Sequence, residues 1–122
     1  LELNGLIVRL LLIAGLLAGM PRMACAAEAN PLRDNWLELS SHVDTAYKKA
    51  LRCEAGARKS DRSQCADFSG YMKLFYPRIA YLNTSINNLP PAQLQKLVAP
   101  RDYENYKLKF NKLAEVSNAW GD

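Results

Sequence analysis

The chain has 122 residues, of which 49% are hydrophobic and 23% charged, and carries a formal net charge of +4. That balance suits one globular domain and excludes a disordered or fibrous chain. One histidine and three cysteines leave little material for a metal centre or for acid–base chemistry.

Arg9 precedes the unbroken apolar run Leu10–Met20, followed by Pro21 and the small residues Ala24-Cys25-Ala26-Ala27. A charged start, a greasy middle and a small-residue end are the layout of a secretory signal peptide. The apolar run is shorter than the about 20 residues that a membrane-spanning helix needs. The sequence therefore predicts a signal peptide over residues 1–26, cleaved near Ala26 or Ala27, and a periplasmic or secreted domain over 27–122. Two alternatives remain at this level. Cys25 is a candidate lipid-anchor cysteine, although Arg22 fits such a site poorly, and an uncleaved segment extended by residues 5–8 would anchor the chain in the membrane.

Without Cys25, the mature chain keeps Cys53 and Cys65, an even number in an oxidising compartment, and the two are expected to pair. The first helix opens at Asn30-Pro31, with the asparagine as cap and the proline at the first helical position. Its apolar positions Leu32, Trp36, Leu39, Val43, Ala46, Ala50 and Cys53 step by four and three, and Leu37, Tyr47 and Leu51 are expected to widen that stripe. Gly56 is expected to end it. A polar turn over 56–62 follows, and Asp61 or Ser63 caps the second helix.

The central pattern is the strongest in the chain. Cys65, Phe68, Met72, Phe75, Ile79, Leu82, Ile86 and Leu89 alternate steps of three and four, which only a helix satisfies. Pro77 lies opposite that seam and is expected to bend the helix without ending it. Asn87-Asn88-Leu89-Pro90-Pro91 is a stop. Residues 91–99 read as a short helix with Leu94, Leu97 and Val98 inward. Pro100 starts the last helix, whose seam is Tyr103, Tyr106, Phe110, Leu113, Val116 and Trp120. The predicted fold is all-α, a small antiparallel bundle of three long helices and one short one, pinned by one disulfide.

The spacing Cys53-x11-Cys65-Ala66, followed by a helical pattern, resembles a family of small secreted lysozyme inhibitors. That family's polar Thr-Gln-Glu pattern is absent between these cysteines, and no third cysteine follows, so no residue role is carried over.

No glycine-rich phosphate loop, metal-ligand motif or haem-attachment motif occurs. His42 stands one helical turn after Glu38, an arrangement expected of a surface pair, and no catalytic residue, metal or cofactor is assigned. The net positive charge concentrates in Lys48, Lys49, Arg52, Arg58, Lys59 and Arg62, around the predicted turn. Such a cluster suits an acidic partner, namely an envelope protein, an anionic lipid or a cell-wall polymer. Nucleic acid is not expected, because exposed aromatics are not interleaved with the basic residues. A second feature lies on the back of the central helix. Ala66, Gly70, Pro77, Ala80 and Thr84 make a small face, interrupted by Lys73 and flanked by Tyr71, Tyr76 and Tyr81. This face is either sandwiched within the bundle, the favoured expectation, or docks a partner or a second copy. The expected function is non-catalytic binding of another envelope protein, of inhibitor, immunity or adaptor type. The alternative is a structural or chaperone-like component that meets anionic lipid or polymer through the basic turn.

Overall fold

In a computed structural model the described residues run from 30 to 121, so the expected signal peptide and Cys25 lie outside them. Four helices follow in order, α1 (Pro31–Ala57), α2 (Ser63–Asn87), α3 (Pro91–Leu97) and α4 (Pro100–Trp120), with no strand among the described residues. None of these helices is long and apolar enough to cross a membrane.

The three long helices form an up–down–up bundle. Trp36 packs on Tyr106 with ring centroids 5.3 Å apart, while Lys112 reaches Glu54 at 2.9 Å, so α1 and α4 run parallel. Helix α2 runs antiparallel to both. The predicted seams supply the core. Leu39, Val43, Ala46, Ala50 and Cys53 of α1, Phe68, Ile79, Leu82 and Ile86 of α2, and Leu113 and Val116 of α4 are buried. Leu37 and Leu51 do not widen the α1 stripe: they are 50% and 38% exposed. Each follows a core residue by one position, a rotation of about 100°, and among the described residues no neighbouring helix covers that side.

Cys53 and Cys65 are joined, with Cα atoms 4.3 Å apart. Helices packed through ordinary side chains lie about 8–10 Å apart. With each Cα about 2.3 Å from its helix axis, the bond leaves the α1 and α2 axes at an ordinary spacing of at most about 9 Å and pins their register.

The turn between α1 and α2 differs from expectation in one respect. Helix α1 runs one residue beyond Gly56, and the left-handed residue is Ser60 (φ 64°). The Gly56 carbonyl accepts hydrogen bonds from the Lys59 and Asp61 amides, both 2.9 Å, which folds the turn tightly back. A Cβ on Gly56 would stand 2.6 Å from the Asp61 carbonyl oxygen. Glycine is needed there for close approach, not for handedness. Asp61 then accepts from the Ser63 amide at 3.0 Å and satisfies one of the first free N–H groups of α2. That hydrogen bond holds the Asp61 carboxyl below its ordinary range.

Pro77 lies on the exposed side of α2, and the helix passes it without interruption. Helix α3 stops at Leu97, short of the expected Ala99. Ala99 precedes Pro100, whose ring disfavours helical backbone there, and Val98 is extended (φ −145°, ψ 139°) with its side chain in the core.

An aromatic cluster fills the opposite end of the bundle. Trp36 packs against both Tyr103 and Tyr106, edge-on to the latter, and Phe110 packs against Tyr106, with ring centroids 5.3 to 6.5 Å apart. Two asparagines of α2 satisfy the tyrosine hydroxyls: Tyr103 donates to Asn87 and Tyr106 to Asn83. Asn87 in turn donates to the Asn83 side chain at 2.9 Å. Burial raises the Tyr106 phenol well above its ordinary range. The helical spacing marked the two tyrosines as seam residues but gave no sign of their amide partners.

Candidate functional site

The six basic residues around the turn separate into two groups. Lys49 pairs with Asp67 at 2.8 Å, Arg58 with Glu54 at 3.2 Å, and Arg62 donates to the Trp120 carbonyl. Lys49 ties α1 to α2 and Arg62 ties the start of α2 to the end of α4, while the Arg58 pair is local, one turn apart at the end of α1. Lys48, Arg52 and Lys59 are exposed and make no ion pair among the described residues. The cationic surface is thus half of what the charge count implied.

Glu54 is the hub of this end. Its side chain is only 13% exposed and lies between Lys112 (2.9 Å) and Arg58 (3.2 Å). The hydrogen bond from Lys112, then that from Arg58, holds its carboxyl below the ordinary value of 4.5. A depressed carboxylate stabilises the fold above its unfolded pKa, and that contribution is lost as pH falls through the folded value. Glu54→Gln is therefore expected to lower the urea midpoint at pH 7, with the gap to the parent chain closing as pH falls below the ordinary value of 4.5. A gap independent of pH would rule out the ion pairs as its cause.

His42 pairs with Glu38 as expected, but it is half-buried and has further partners. Its Nε2 lies 3.5 Å from Glu38, its Nδ1 lies 3.0 Å from the Tyr71 hydroxyl, and its ring packs on Phe75 at 5.0 Å. Arg78 clamps Glu38 with two hydrogen bonds, 2.8 and 2.9 Å, and these hold the Glu38 carboxyl low. Burial raises the Tyr71 phenol. The cluster occupies the α1/α2 seam, and both imidazole nitrogens are engaged within the chain.

Nor is the small face of α2 sandwiched in the bundle. Ala66, Gly70, Lys73, Pro77 and Thr84 are exposed, Ala80 is half-buried, and a Cβ on Gly70 would meet nothing within 4 Å. The reason is the number of neighbours: α1 and α4 cover two flanks of α2, and among the described residues no other helix covers its back. Tyr71 leaves this face for His42, whereas Tyr76 and Tyr81 stay 46% and 61% exposed. Arg78 lies over the Tyr81 ring at 5.6 Å.

Beside this face, α2 and α4 leave a groove of about 500 Å³ between them. Met72, Phe110 and Leu113 line its floor, and Ser69, Lys73, Tyr76 and Pro77 of α2 face Ala114, Ser117 and Asn118 of α4. It exists because the side chains that meet at this level, Ser69, Ala114 and Ser117, are too small to fill it. Reading the seam of α4 alone misses the groove. The signal was present in the small residues at 114 and 117, but only the pairing of α4 with α2 gives them meaning.

Comparison with protein-family models, with curated proteins and with solved structures finds no match for this chain. The cysteine spacing shared with the lysozyme inhibitors carries no argument. Function must be argued from the surface itself.

Proposed function

We propose that this chain is a non-catalytic protein-binding module of the cell envelope, of inhibitor, immunity or adaptor type, and that a partner seats in the α2/α4 groove. The groove carries the proposal: it offers a half-open apolar floor next to a helix face on which Ala66, Gly70, Pro77 and Thr84 are exposed. Exposed apolar ground bordered by tyrosine is the composition of a protein interface. The full engagement of His42 supports a non-catalytic role. The disulfide supports an oxidising compartment, in keeping with export by a signal peptide over residues 1–26.

A photo-crosslinking residue placed at Ala114, in the groove wall, should give a discrete protein adduct from an envelope extract. The same probe at Leu108, 67% exposed on another side of α4, should give none. Adducts at both positions, or at neither, would overturn the proposal. An adduct at a Lys59 probe alone would move the site to the cationic face of Lys48, Arg52 and Lys59, and so favour the charge-driven alternative.

A further inference from the structure

The groove has a charge asymmetry that narrows the choice of occupant. Lys73 is the one charged residue among those lining it. The neighbouring lysines of α4 are already held, Lys107 by Glu104 at 3.1 Å and Lys112 by Glu54 and Glu115. Lys73 is exposed and has no carboxylate partner among the described residues. Pro77 adds a second polar feature on the same wall. Lacking an N–H, it cannot donate to the Lys73 carbonyl four residues earlier, which leaves that oxygen as an acceptor. One ammonium and one backbone acceptor therefore border an apolar floor.

The shape points to a helix. The groove runs between two antiparallel helices from Ser69 to Pro77 and from Phe110 to Asn118, about 12 Å at 1.5 Å per residue. The exposed small residues extend the accepting surface along α2 in both directions, to Ala66 and Thr84, beyond the reach of a small molecule in the groove. No strand edge exists among the described residues to pair with an extended peptide. We infer that the groove accepts one helix of a partner protein, an amphipathic helix with a carboxylate beside its apolar stripe to meet Lys73. This rests on the binding reading above and adds the chemistry of what is bound.

The test is a display selection of helical peptides about five turns long, with leucine at i, i+4 and i+7 and the flanking positions randomised. The target is the intact, disulfide-bonded chain. Enriched peptides should carry Asp or Glu at one flank and should bind Ala114→Arg, which blocks the groove, roughly tenfold more weakly or worse. Selection on Lys73→Glu should switch that flank to Lys or Arg. Both substituted positions are exposed, and thermal melts establish that each variant folds. The inference falls if no helix is enriched, if Ala114→Arg binds as well as the parent, or if the acidic preference survives Lys73→Glu. It also falls if sedimentation shows a dimer that Ala114→Arg dissolves, because the occupant is then a second copy. A protein adduct at Ala114 without an acidic helix in the selection would leave the binding reading standing and remove this one. The absence of any adduct at Ala114 would remove both, because this inference depends on that reading.

Discussion

Phe68→Ala should destabilise the fold by about 3–5 kcal/mol, the usual loss for a fully enclosed phenylalanine. The ring has no solvent exposure and is the largest of the fully buried side chains. It stands three residues after Cys65, where the disulfide pins α1 to α2, so the backbone has little freedom to collapse into the vacated space. Small domains have about 5–15 kcal/mol of stability in total, so much of the folded population is at stake. Urea unfolding with the disulfide intact should show a lower midpoint at an unchanged slope. Leu74→Ala is the control. Leu74 lies in the same helix but is 71% exposed, and its removal should change stability by less than about 0.5 kcal/mol. Equal effects from the two substitutions would mean that α2 buries a different face.

Replacing both Cys53 and Cys65 by alanine should cost about 3 kcal/mol, the loop-closure contribution expected for a bond across so short a separation. For a domain of this size the melting temperature should fall by about 12–24 °C. Burial of both sulfurs (0% and 4% exposed) means that the bond also sits inside the core, and alanine there removes packing as well as the cross-link. The loss should be measured against the oxidised parent chain, with the reduced parent as the control that separates the cross-link from the packing. A melting temperature within a degree or two of the oxidised parent would show that the α1–α2 turn holds its register unaided. The hydrogen bonds of Gly56, Ser60 and Asp61 give it some capacity to do so.

Much of this architecture is legible in the residues alone because helical periodicity is a local property. The steps of three and four at Phe68, Ile79, Leu82 and Ile86 place them on one face whatever lies opposite, and all four are buried. The stops at Pro90-Pro91 and Pro100 act through the backbone of their immediate neighbours, and the pairing of two cysteines follows from their number and from the hairpin between them. Even the exposed position of Pro77 could be read from its phase.

The surface is a different matter, because each of its properties depends on which helix stands beside which. A count of charges could not show that Lys49 is neutralised by Asp67 of the next helix while Lys48, Arg52 and Lys59 remain open. His42 has one partner on its own helix, and the Tyr71 and Phe75 side chains that half-bury it come from the next helix. Asn83 and Asn87 look like surface residues until the hydroxyls of α4 arrive above them. The groove has the same origin, since Ser69, Ala114 and Ser117 are unremarkable one at a time and leave space only where α2 and α4 meet. The chain's own sequence therefore determined its helices, its seams and its cross-link, through interactions within a few residues. The packing of those helices alone decided which charges are spent within the fold and where an apolar surface remains open, because both depend on distances between residues far apart in sequence.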